Sequence, residues 1–468
     1  MNRKTISIFF ILNFIFLGCL ANTLEDAKLF YLNGQYSKAL PIFKSEYKKK
    51  PKDPSLNHWL GVCYYETDSL QEAEKYLVYS DSRGILESPR YLAKIKARQY
   101  DFNQADTYFK HYQTLLQKEK KPLTPDATKE SAEIKNAKSM LTHVEKIVIV
   151  DSILVNKNDF FKAYKISSDI GSLKMINEGE PTQSIAFVPQ SGERMVWGEV
   201  DSLDRCVLKS KVKLIDGNWD TPKMLSQTLH GYGDFNYPFI MPDGVTLYYA
   251  SNGEGSIGGY DIFVTRKDAD TGDYLQPQNI GMPYNSPYDD YMFVLDEISG
   301  FGWWATDRNQ IPDKVTIYVF IPNDIRQNYD PQDANIKSFA RIDSYKSTWN
   351  GEDYTEYLEK IKDINNKANN KKNDFVFAIA PGIVYHYYKD FKSSSSASLM
   401  KELVMLKESF EKETLELKKL RSSYATEVSN NKTALRGQII SAENDIEVLR
   451  QDIFIKENVI RKNESRSN

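Results

Sequence analysis

Residues 237–263, YPFIMPDGVTLYYASNGEGSIGGYDIF, constrain the fold more than any other part of the chain. Phe239 and Ile240 lead into a Pro242-Asp243-Gly244 turn, and Val245 to Ala250 read as a buried strand. A Gly-rich turn follows at Gly253, Gly255, Gly258 and Gly259, and Asp261-Ile262-Phe263 opens the next strand. Proline presets one turn dihedral, and glycine supplies positive φ where a side chain would clash. Strand, tight turn, strand, loose turn, strand is the unit that a β-propeller repeats as a blade. Such a unit is mostly display surface, so the pattern points to a protein that holds rather than converts.

The unit has echoes. Upstream, SIAFVPQSGERMVWGEV sets Phe187-Val188-Pro189 before a polar turn and a strand through Trp197. Downstream, YMFVLDEISGFGWWATD sets Phe293 before Asp296 and a strand through Trp303 and Trp304. Pro189 to Pro242 and Asp243 to Asp296 are each 53 residues apart. Each copy closes on a β-like run: RCVLKSKVKL, YDIFVTR or VTIYVFIP. KIVIVDSILV with FFKAYKI reads as a weaker first copy. The stretch 374–388, DFVFAIAPGIVYHYY, reads as a hairpin that completes or caps a ring of about five blades.

The PDG turn, the (Y/F)AS strand end and the G-x-D-I-F strand start resemble the WD40-like, TolB-type propeller repeats. Those repeats occur in Bacteroidota envelope proteins, commonly behind tetratricopeptide repeats. The resemblance implies a periplasmic, non-catalytic propeller and brings no catalytic residues with it.

A second repeat precedes the first. Ala27, Phe30, Ala39 and Phe43 recur 34 residues later as Gly61, Tyr64, Ala73 and Leu77, and a third copy reads Ala93, Ala105 and Phe109. Thirty-four is the tetratricopeptide period, in which small residues let paired helices approach closely. Residues 127–145 read as a capping helix. Such a stack offers a peptide groove, with Tyr31, Asn57, Tyr65, Arg98 and Tyr108 as candidate lining groups; the alternative is that the stack only supports the propeller.

After Ser393 to Ser396 the chain turns Lys/Glu/Leu-rich. Leu399, Leu403, Leu406, Phe410, Leu417, Leu420 and Tyr424 recur in steps of three and four, and Leu435, Ile439, Ile446, Leu449, Ile453 and Ile460 resume the seam. The pattern is a coiled coil. Ser429-Asn430-Asn431 is either a stutter in one long helix or the bend of a hairpin. Self-association, a partner helix and an intramolecular hairpin all satisfy the stripe.

Residues 1–21 read as a secretion signal, with a basic start and an apolar run from Ile6 to Leu17. Leu17-Gly18-Cys19 resembles a lipobox, which makes Cys19 a candidate lipidation site; Cys19-Leu20-Ala21 equally fits a cleavage site that frees a soluble chain. The expected location is the periplasm or outer membrane, with membrane contact only through that anchor. Sixty-one basic and 64 acidic residues leave a net charge of −3, which argues against nucleic acid as a partner.

No chemistry-bearing constellation emerges. The five histidines form no H-x-x-x-H or H-E-x-x-H pattern, no Walker A loop is present, and Ser256 in EGSIGG lacks the glycine of a nucleophile elbow. The DADTGD loop (268–273) has oxygen ligands at short spacing that suit calcium but departs from the EF-hand. Asp289 and Asp290 offer an acid–base pair for glycan cleavage in principle, but adjacent residues in a strand point to opposite faces, which counts against it. Neither a cofactor nor a metal site is expected, and the chain does not read as an enzyme.

The expected architecture is α+β and multidomain. A signal peptide at 1–21 precedes a tetratricopeptide α-solenoid at 22–145. A β-propeller follows at 146–390, with a helical insertion near 333–368, and a coiled-coil helix or helical hairpin occupies 394–463. The expected function is a scaffold that engages protein partners in an envelope assembly of the secretion or gliding type. The alternative is a glycan or peptidoglycan-fragment binder that uses Trp197, Trp219, Trp303 and Trp304 on the propeller face.

Overall fold

The computed structural model describes residues 23–426 and 432–466, apart from 178, 180–183, 215–216, 227–228, 230, 362–374, 376 and 381–382. The expected leader with Cys19, and the Ser429-Asn430-Asn431 junction, lie outside the described residues. The chain is mixed α+β and divides into two compact units, Met1–Ile364 and Asn365–Asn468. The boundary therefore falls before the 374–388 hairpin, which was expected to belong with the sheets.

The first unit opens with seven helices: α1 (Leu24–Leu32), α2 (Tyr36–Lys49), α3 (Pro54–Glu66), α4 (Leu70–Asp81), α5 (Ser88–Arg98), α6 (Phe102–Lys118) and α7 (Pro125–Leu141). Side-chain caps fix several starts. Thr23 and Asp26 form a reciprocal capping box, and Asp53 and Thr124 each accept an amide ahead of a proline at the first helical positions. Most positions aligned by the repeat are buried: Ala27, Ala39, Phe43, Ala73, Leu77, Ala93 and Ala105 are fully enclosed, while Phe30 and Tyr64 are partly exposed. Gly61 shows why small residues recur there, because a Cβ would lie 2.5 Å from Leu77 Cγ. The turn inside each pair carries one residue at positive φ: Gly34, then Asp68, then Tyr100, the last two at +58°.

Three antiparallel sheets follow. Sheet I contains β2 (Gly171–Ile176), β3 (Ser184–Pro189), β4 (Arg194–Val200), β5 (Cys206–Val212) and β6 (Lys223–Met224), in chain order. Sheet II contains β7 (Phe235–Ile240), β8 (Thr246–Ser251), β9 (Asp261–Arg266) and β10 (Gln278–Asn279). Sheet III contains β11 (Asp290–Asp296), β12 (Phe301–Thr306), β13 (Lys314–Ile321) and, on its outer edge, β1 (Val148–Asn156). One apolar core runs through all three, from Phe187, Val196 and Leu208 by way of Phe239 and Leu247 to Val294, Trp303 and Ile317.

The 237–263 unit folds as its residues indicate. Asp243 Oδ1 accepts the amides of Val245 and Thr246, both at 2.8 Å, and Gly244 takes φ +68°. KIVIVDSILV is not a separate first copy. It pairs along β13 from Val148↔Ile321 to Asn156↔Lys314, so the strand that enters the sheet region completes its last sheet. The described residues thus form three such sheets rather than about five. The helical insertion is present as α8 (Ile336–Arg341), a 3₁₀ turn at Tyr345–Trp349 and a helical stretch over 355–361.

The second unit pairs β14 (Phe377–Ala380) with β15 (Ile383–Tyr385) and continues into α9 (Ser394–Thr426) and α10 (Lys432–Arg466). The two helices run antiparallel, because Lys407 meets Glu457 at 2.7 Å while Arg421 meets Glu443 at 2.7 Å. The apolar stripe is therefore covered within the chain: Leu417, Ala442 and Ile446 form one cluster. Met400, Leu403 and Ile460 form another with Phe377 and Phe391 of the strand hairpin. Glu464 secures that end by accepting the amides of Lys392 at 3.0 Å and Ser393 at 3.2 Å.

Candidate interaction face of the helical stack

The groups expected to line a groove separate into two kinds. Tyr65, Tyr91 and Arg98 form one assembly on α3 and α5: the rings of Tyr65 and Tyr91 meet edge to face at 5.4 Å, and the Arg98 guanidinium lies 4.5 Å over Tyr65. Arg98 also lies 5.5 Å from the ring of Tyr288, in the loop before β11, and 3.5 Å from Asp68. Tyr31 packs edge to face on Tyr36 at 5.7 Å and stays partly exposed. Tyr108 is partly buried between the α3–α4 and α5–α6 layers. Asn57 does not line a groove. It is 2 % exposed, and its Nδ2 donates to the carbonyls of Pro51 at 3.0 Å and Asp53 at 2.7 Å.

Charge surrounds these rings. Glu130 of α7 accepts a two-pronged contact from Arg90 at 2.7 and 2.8 Å and a third from Lys94 at 2.8 Å. Burial raises the Glu66 carboxyl, and Lys94 and Arg98 partly offset it. Burial also pushes the Tyr65 phenol up to about 12. The face is thus a set of neutral phenols bordered by ion-paired cations and carboxylates, suited to holding a chain with both aromatic and polar groups.

The stack is fixed to the sheets by a joint that the sequence did not announce. Tyr100, Phe102, Ala137 and Val144 pack with Ile257 and Met282 from the loops of sheet II and with Ile336 and Ala340 of α8. The Glu145 amide donates to the Met282 carbonyl at 2.9 Å. Beneath Tyr100, Arg308 donates to Asp290 at 2.7 Å with both side chains almost fully enclosed, and Asp290 also accepts the Ser286 amide at 2.7 Å. Asp290 is therefore locked in structure, which removes it as half of an acid–base pair.

A hydrogen-bond motif repeats between neighbouring sheets. Asp234 accepts the Cys206 amide at 2.9 Å and donates its own amide to Asn252 Oδ1 at 2.8 Å. One sheet later Asp289 accepts the Tyr260 amide at 2.9 Å and donates its amide to Asp307 Oδ1 at 2.9 Å. Burial first, then the adjoining Asp289, raises the Asp307 carboxyl to about 6.

The other candidates resolve as structural. Trp197, Trp303 and Trp304 are 2 %, 1 % and 0 % exposed, so three of the four expected stacking platforms are core; Trp219 alone is accessible, at 36 %. Asp268 Oδ1 accepts the amides of Asp270 and Thr271, both at 2.9 Å, and so caps its own turn. Among the described residues no group of three or more His, Cys, Asp or Glu side chains is placed to hold a metal. Cys63 and Cys206 are buried free thiols, pushed up to about 12 by burial. His58 forms a buried chain: its Nδ1 lies 3.0 Å from Ser88 Oγ, which lies 2.7 Å from Ser80 Oγ. The chain links α3, α5 and α4, includes no carboxylate and is closed to substrate.

No protein-family model matches the chain, and no curated protein matches it.

Proposed function

We propose that the chain is a non-catalytic scaffold of a bacterial cell envelope, acting in the periplasm or at the outer membrane within a secretion- or gliding-type assembly. In this reading the helices are tetratricopeptide repeats and the three sheets are blades of a WD40-like propeller. Tyr65, Tyr91, Arg98 and Lys94 then form part of a face that receives a partner protein. The observation that carries the proposal is the joint at Tyr100 and Phe102, which fixes the repeats to the sheets and leaves that face lined by aromatics and cations. Two modules packed on one another through such a joint are suited to presenting a binding surface.

Tagged full-length chain, purified from gently solubilised envelopes, is compared with a chain ending at residue 364, where the first unit ends. A stoichiometric set of envelope proteins recovered with the full chain supports the scaffold. Recovery of both chains alone sinks it.

A further inference from the structure

Sheet I has one face in the common core and an opposite face whose apolar layer, among the described residues, draws on no other element. Phe187, Val196 and Leu208 serve the common core. The opposite face has its own small apolar layer, Ala186, Val188, Met195 and Trp197 with Ile176, drawn entirely from β2, β3 and β4. Residues directly opposite each other in an antiparallel ladder share a face. The register Lys174↔Ala186, Ala186↔Trp197, Trp197↔Lys209 and Lys209↔Met224 therefore sets one row across all five strands. Met195↔Lys211 and Lys213↔Trp219 extend the same face.

The charge on this face is one-sided. Glu199 accepts from Lys209 and from the Trp197 indole and so is spent. Lys211 lies 5.6 Å over Trp197 and 5.2 Å over Trp219, and among the described residues neither Lys211 nor Lys213 has an ion pair. Alternate residues of a strand lie ~7 Å apart, so Lys211 and Lys213 form a pair of cations at strand spacing, in line with Lys209, whose charge Glu199 already meets. Trp219 and Met224, 36 % and 42 % exposed, flank it with apolar surface.

We propose that this face docks an extended acidic segment of a partner protein, with carboxylates at alternate positions and an aliphatic or aromatic residue beside them. An extended segment repeats its side chains at the spacing of the lysine row, so successive carboxylates meet successive ammonium groups. Trp219 and Met224 take the apolar neighbour. One feature favours a polypeptide over a sugar polymer: one face of the Trp219 ring is already covered by Lys211. The assignment rests on the scaffold reading and names the chemistry of one partner.

The test uses the full chain with a fluorescent glutamate–tyrosine copolymer, against polygalacturonate and phosphatidylglycerol vesicles as acidic probes without peptide. Copolymer binding is expected to weaken at least tenfold in Lys211→Glu/Lys213→Glu and several-fold in Trp219→Ala. Lys223→Glu reverses one charge on the opposite face, since Lys223 pairs with Ser210, and is expected to stay within twofold where Lys211→Glu alone already weakens binding several-fold. All the substituted side chains are accessible, and circular dichroism checks that the variants fold. Copolymer binding that the double reversal leaves unchanged overturns the assignment. So does lysine-dependent binding of polygalacturonate or of vesicles in place of the copolymer. If the double-reversal chain still recovers the full partner set from envelopes, this assignment fails and the scaffold reading stands; if neither chain recovers partners, the scaffold reading fails.

Discussion

The Asp289 amide donates to the Asp307 carboxylate at 2.9 Å, which sets two carboxylates side by side where the preceding sheet pairs Asp234 with Asn252. The Asn252 Nδ2 returns a bond to Asp234 at 3.1 Å that Asp307 has no proton to make when ionised. Asp307→Asn is therefore expected to stabilise the fold. The folded carboxyl titrates near 6 against an ordinary 3.8, so its ionised form opposes folding. The penalty is full above pH 6 and disappears below pH 3.8. A gain of about 1–2 kcal/mol is expected at pH 8, discounting the shift for partial exposure. Urea unfolding of both chains at pH 8 and pH 4 checks it, and an equal difference at the two values would reject this cause.

Removing one partner of the enclosed Asp290–Arg308 pair leaves the other charge without compensation. Arg308→Met is expected to cost about 3–5 kcal/mol. Asp290→Asn with Arg308→Met removes both charges and is expected to recover part of that loss. Thermal unfolding of the single and double variants decides, with additive losses counting against a coupled pair.

His58 gives the helical stack an acid sensitivity. Burial lowers the imidazole from 6.5 to about 4, so the folded state favours the neutral ring. The stabilisation is fully present above pH 6.5 and is lost as pH falls towards 4, on the order of 3 kcal/mol in total. His58→Gln is expected to lower stability at pH 7.5 and to flatten the decline between pH 6.5 and 4.5. An unchanged decline in that variant would assign the acid sensitivity to other groups.

Arg98 bridges the stack to Tyr288. Arg98→Ala is expected to cost about 1–2 kcal/mol through lost cation–π contact. The effect is local: amide exchange is expected to rise at 281–290 and at the end of α5, while β8 and β12 keep their protection. Uniform acceleration across the first unit would instead indicate a global loss of stability.

Local chemistry was legible where it is periodic. The small residues recurring every 34 residues, then 32, at Ala27, Gly61 and Ala93 and at Ala39, Ala73 and Ala105, located the helix pairs, since a close helix contact admits few residues. The 237–263 motif located β7 to β9, since Asp243 and Gly244 fold their turn through their own backbone. The stripe from Leu399 to Ile460 announced two packed helical faces but not what covers them, because one apolar seam serves a partner as well as a hairpin.

The sequence by itself determined the order of the modules, their repeat lengths and the absence of any familiar catalytic spacing, all of which rest on near neighbours in the chain. Tertiary structure decided the rest. It placed β1 beside β13, more than 150 residues away, buried Trp197, Trp303 and Trp304, and drew Tyr100 at positive φ into the joint. Those outcomes depend on which apolar faces meet. Hydrophobic burial is non-directional, so a residue's burial follows from its neighbours in space and not from its own type.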